Sequence, residues 1–69
     1  MSSAEIAARI NRLDLLSRGL SKEMVLVQEC NDPMLYRERQ DYLTAIHDAL
    51  GGVVSARVVL VKARQRMEG

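Results

Sequence analysis

The sequence predicts an all-α fold: an antiparallel two-helix hairpin, coiled-coil-like, completed by self-association or by a partner protein. Three observations lead there. Apolar residues recur in alternating steps of four and three along both halves of the chain, the spacing of a helical seam. Cys30-Asn31-Asp32-Pro33 reads as a helix end followed at once by a helix start, and it holds the only proline. The third observation concerns size. The 69 residues include no Phe, no Trp and a single cysteine. A chain this short buries only about 60% of the surface its unfolded form exposes. With no internal disulfide to help, a second chain is the obvious source of the missing stability.

The first helix is expected over about residues 3–30. Ser2 and Glu5 have the spacing of a capping box, and Met1 and Ile6 that of a hydrophobic staple. The seam runs Ile6, Ile10, Leu13, Ser17, Leu20, Met24 and Val27, with one polar member. Gly19 interrupts it at a cost of about 1 kcal/mol relative to Ala, without changing the phase. Glu5–Arg9 and Asp14–Arg18 are spaced i,i+4 with the acid first, the more favourable order.

The turn is placed at about 31–32. Asp32 suits the N-cap of the second helix and Pro33 its first position, where a missing N–H costs nothing.

The second helix is expected over about 33–67. Its seam reads Tyr42, Ile46, Ala49, Val53, Ala56, Leu60, Ala63 and Met67. A second apolar row runs beside it: Leu43, Leu50, Val54, Val58 and Val61. One hairpin partner covers one stripe, so the surplus row calls for another surface. The competing reading starts at Gly51-Gly52, since glycine pairs end helices and the β-branched run that follows favours a strand. Against it, the helical period continues to Met67 and no second strand is available to pair. If helical, the two glycines are either a tolerated defect or a smooth patch for a close helix neighbour. At 1.5 Å per residue the helices would measure about 42 and 52 Å, so the second overhangs the first.

Composition narrows the function. Ten Lys and Arg against nine Asp and Glu leave a net charge of +1, which argues against a dedicated nucleic-acid binder. Charges at Arg9, Arg12 and Asp14 rule out a secretory leader, and the longest apolar runs are four residues, too short for a membrane span. A lone Cys30 fits a reducing compartment. The reading is a soluble cytoplasmic protein, complete from Met1.

No constellation for catalysis or cofactor binding stands out. His47 is the only histidine; Thr44 is the one hydroxyl a turn away, and no third group orients the pair. One His and one Cys fall short of a structural zinc site. Gly51-Gly52 lacks the flanks of a phosphate loop. Neither an enzyme nor a metal or cofactor carrier is indicated. Arg57, Lys62, Arg64 and Arg66 make the last third basic, which suits a helix C-terminus or an acidic partner better than nucleic acid. Tyr36 and Tyr42 are the only aromatics, placed at a core edge or an interface.

A first helix, a tight break and a longer second helix opening Asp32-Pro33-Met34-Leu35-Tyr36-Arg37-Glu38-Arg39-Gln40 and continuing through Leu43 and Ala49-Leu50-Gly51-Gly52 resembles the small cytoplasmic E components of bacterial type III secretion systems. The likeness covers roughly residues 10–61 and rests on layout and a few residue types. Those proteins are helical-hairpin co-chaperones of the needle subunit. The resemblance implies binding to a tetratricopeptide-like chaperone, and retention of a monomeric needle subunit in the cytosol before export. The positions it marks for partner binding are Tyr36, Leu43, Ile46, Leu50, Val54 and Val58. The needle subunits are a neighbouring likeness. They end on an apolar tail, however, where this chain ends Arg64-Gln65-Arg66-Met67-Glu68-Gly69. A homodimeric four-helix bundle made of two hairpins, acting as an adaptor or regulator, satisfies the same periodicity.

Overall fold

A computed structural model describes residues 1–29 and 36–68. It contains two α-helices, α1 (Ser3–Gln28) and α2 (Tyr36–Glu68), packed against each other, with no strand among the described residues. The molecule is a rod with principal extents of 53 × 14 × 14 Å. The predicted turn and the cap at Asp32-Pro33 lie outside the described residues, as does Cys30.

The start of α1 follows from its cap. The Ser2 hydroxyl accepts a hydrogen bond from the Glu5 backbone N–H at 3.2 Å and donates to the Glu5 carboxylate at 3.3 Å. One of the helix's orphan backbone donors, the Glu5 N–H, is thereby satisfied. Met1 stays exposed, so the expected staple against Ile6 contributes little. At the other end, the Glu29 backbone N–H donates to the Val25 carbonyl at 3.1 Å.

The seam of α1 is the predicted one. Ile6 and Ile10 are buried, and Leu13, Ser17, Leu20, Met24 and Val27 are half-buried. Ser17, its polar member, donates its hydroxyl to the Asp14 carbonyl at 2.9 Å and so carries no unpaired donor into the contact.

On α2 the seam is rotated from the predicted one. Ile46 is buried and Leu43, Leu50, Val53, Leu60, Val61 and Ala63 are half-buried, whereas Tyr42, Ala49, Ala56 and Met67 are exposed. The predicted seam and its surplus row are neighbouring stripes, and the true contact line lies between them. Size decides it. Leu43 and Leu50 lose more apolar surface on contact than Ala49 and Ala56 could, so the helix turns its larger side chains inward. The surplus is therefore smaller on α2 than predicted, with Val54 and Val58 left outside.

α2 runs unbroken through Gly51-Gly52, and no described residue has a positive φ. The strand alternative fails because no partner strand exists to complete a ladder, while helical hydrogen bonds are satisfied within the segment. A Cβ built on Gly51 meets nothing within 4 Å. Gly51→Ala is therefore expected to raise stability by about 0.5–1 kcal/mol, through helix propensity alone. Urea titration at fixed protein concentration measures it; a destabilised variant would mean that the open side of Gly51 is a contact.

Candidate protein-binding face

Polar side-chain contacts among the described residues cross the hairpin and mark its register. Near the middle, Arg57 Nε lies 2.7 Å from Asp14 Oδ1. Toward the turn end of α1, the Tyr42 hydroxyl donates to Glu23 Oε1 at 3.1 Å. Asp14 is thus engaged across the hairpin and not with Arg18, and Arg57 belongs to the middle of the fold as well as to its basic end. Both partners of the ion pair keep more than a third of their side-chain surface in water. Such a pair contributes about 0.2–1 kcal/mol and mainly specifies alignment.

Tyr42 carries a signature of this contact. Its hydrogen bond to Glu23 raises the phenol pKa above the ordinary 10.0, with the carboxylate's charge and slight desolvation acting the same way. The folded state therefore holds the proton more tightly than the unfolded chain, so this contribution is present below pH about 10 and lost as pH rises through the folded value. Ultraviolet titration of tyrosinate should show its high-pH limb moving to lower pH in Glu23→Gln. An unchanged curve would mean that the contact does not persist in solution.

The other polar side-chain contacts among the described residues include local ones within α2. His47 and Asp48 approach to 3.9 Å (Nδ1 to Oδ1), both largely in water. Thr44 donates its hydroxyl to the Gln40 carbonyl at 3.0 Å. Among the described residues no group of three or more His, Cys, Asp or Glu is placed to hold a metal.

What the fold leaves open is apolar. Ile6, Ile10 and Ile46 are the whole of the described core, and no described side chain falls below 2% exposure. Of the residues marked for partner binding, Ile46 is 5% exposed and serves the hairpin itself. Leu43 and Leu50 are half-buried in the seam. Tyr36, Val54 and Val58 remain available at 60%, 51% and 45% exposure. The Arg39 guanidinium sits 5.6 Å from the Tyr36 ring centroid, a cation–π approach that orients the ring at the start of α2. Val54 and Val58 stand one turn apart and present a β-branched ridge.

A second apolar surface was not anticipated. Leu15, Leu16, Val25 and Leu26 on α1 and Val59 on α2 are exposed. A shallow groove between the helices is lined by Leu13, Leu16, Ala56, Val59 and Leu60, with Arg9 and Arg12 at its edge. Its signal was in the sequence. Neither member of the apolar pairs Leu15-Leu16 and Val25-Leu26 belongs to the α1 seam.

α2 is also long and apolar enough to cross a membrane by length and composition. Its most apolar 18 residues average a hydropathy of 1.4, and 6% of them are buried. Asp48 and Arg57 lie within that region. Each would cost roughly 2.5–3.5 kcal/mol at the centre of a bilayer, and Arg57 already has a partner in Asp14.

No known protein family, curated protein or solved structure matches the chain.

Proposed function

We propose that this chain is a small protein-binding subunit without catalytic activity, acting in the cytoplasm. Its proposed partner is a tetratricopeptide-like chaperone, with which it keeps a type III secretion needle subunit monomeric before export. The observation that carries the binding role is the exposed ridge of Val54 and Val58 with Tyr36, on a hairpin whose core is too small to account for its apolar content. Covering a row of aliphatic side chains releases about 25 cal/mol per Å², enough for a specific complex once association costs are met. The naming of the partner rests on the layout of a short helix, a tight break and a longer second helix.

Co-purification of the tagged full chain from its source cell, with identification of what is retained, tests the reading. A helical-repeat chaperone together with a short secreted subunit is the expected outcome. Recovery of the chain with copies of itself alone, and secretion unaffected by its deletion, would transfer the role to a homodimeric adaptor. Recovery in the membrane fraction would favour insertion of α2.

A further inference from the structure

We propose that a second copy of this chain occupies the grooved side of the hairpin, with α1 packed antiparallel on α1 of the other copy about a two-fold axis near residues 17–18. This goes beyond the foreign partner proposed above and does not rest on it.

The area argument comes first. A compact monomer of 7.7 kDa exposes about 4,300 Å². This chain exposes 5355 Å². The excess, roughly 1,000 Å² per chain, is close to the about 800 Å² that each partner contributes to a specific interface of standard size. A net charge of +1 opposes pairing of like copies very little.

The α1 side of this face is self-complementary. A hollow on α1 is lined by Arg12, Leu15, Leu16, Gly19 and Leu20. A Cβ built at Gly19 meets nothing within 4 Å, so the hollow is open at its floor. Reversing α1 about residues 17–18 sets Leu16 of one copy over Gly19 of the other, and Leu15 against Leu20. The same reversal sets Arg12 against Glu23, opposite charges at both ends of the contact. Glu23 offers its second oxygen, since Oε1 accepts from Tyr42. Like charges would have met at those ends had either residue carried the other sign.

α2 meets its own copy at a compatible place. Gly19 lies between Asp14 and Glu23, and Gly51-Gly52 lie between their respective partners Arg57 and Tyr42. The glycines of both helices therefore fall in the stretch bounded by the two cross-hairpin contacts. Ala56 and Val59 line the groove, and Gly52 precedes Ala56 by one turn on the same face. The two α2 helices can thus approach closely at the level of the proposed axis. The product is a four-helix bundle that leaves Val54 and Val58, which do not line the groove, free for another protein.

Sedimentation equilibrium of the full chain over a range of concentrations tests this, with helix content followed by circular dichroism. The wild type should sediment as a dimer. Gly19→Gln replaces glycine by a better helix former, so the fold is retained or strengthened. It fills the hollow, and should weaken the dimer by about tenfold or more, as overpacking a close contact does. Arg12→Glu and Glu23→Arg should each weaken it by about tenfold, because a symmetric dimer contains every substitution twice. The double exchange should recover most of the loss, which a merely structural effect on the hairpin would not do. A wild type that stays monomeric overturns the proposal. So does a dimer indifferent to Gly19→Gln and Arg12→Glu, or one abolished by Val54→Asp instead. Binding to anionic phospholipid vesicles with no protein dimer would assign the face to a membrane surface.

Discussion

Ile46→Asp is expected to abolish cooperative folding. The side chain is 5% exposed and lies one turn from Tyr42, whose contact with Glu23 sets this stretch of α2 beside the half-buried Leu20 and Met24 of α1. An unpaired carboxylate there is met by neither the Arg57–Asp14 nor the Tyr42–Glu23 contact, and its desolvation alone costs several kcal/mol. The milder Ile46→Ala removes apolar contact without adding charge and should cost about 2–5 kcal/mol. Small domains rarely hold more than about 3–5 kcal/mol in total, so even the alanine variant should be largely unfolded at room temperature. Urea titration followed by circular dichroism, at one protein concentration because association contributes to apparent stability, measures both. A loss of less than about 1 kcal/mol in Ile46→Ala would mean that the helices do not pack along this seam.

Val54→Asp combined with Val58→Asp is expected to remove partner capture while leaving the hairpin intact. Both side chains are half in water already, so the folded state loses little. Exposed substitutions of this kind usually change stability by about 0.5 kcal/mol or less each. A partner that buries the ridge would instead enclose two carboxylates, and its affinity should fall by about a hundredfold or more. The measurement is retention of the chaperone by the tagged variant, with helix content recorded on the same sample. Leu50→Asp would be a poorer probe. Leu50 is half-buried between the helices, so its replacement injures the hairpin and the binding face together. Undiminished capture by the double variant would move the foreign contact to another face.

The grooved side and the Val54–Val58 ridge give the hairpin two separate apolar surfaces, and the predictions for each use residues absent from the other. Loss of self-association in Gly19→Gln with capture preserved would establish that the two surfaces act independently. Loss of capture in that variant would mean that the dimer is the form the foreign partner recognises.

Much of the fold was legible because local rules suffice for it. The Ser2–Glu5 cap starts α1 where the capping pattern placed it, and Ile6 and Ile10 are buried as the four-and-three spacing required. Helix through Gly51-Gly52 was readable from the unbroken period, because a lone strand has nothing to pair with. Periodicity determines that a stripe faces inward, but only to within the angle between neighbouring stripes. On α2 two apolar rows lay side by side. The choice of Leu43 and Leu50 over Ala49 and Ala56 came from the volume that α1 leaves to be filled, a quantity that no spacing along one helix contains. The engagement of Asp14 with Arg57, 43 residues away, was hidden for the same reason. Sequence spacing nominates Arg18 as its neighbour, and only the height at which the two helices are aligned brings Arg57 within reach. The grooved face with Leu16 and Val59 exists only once the helices are side by side, because each helix contributes half of it. The sequence by itself determined two helices, their seam on α1 and an excess of apolar surface. The tertiary structure decided which residues carry that excess, since burial is a property of the pair of helices and not of either alone.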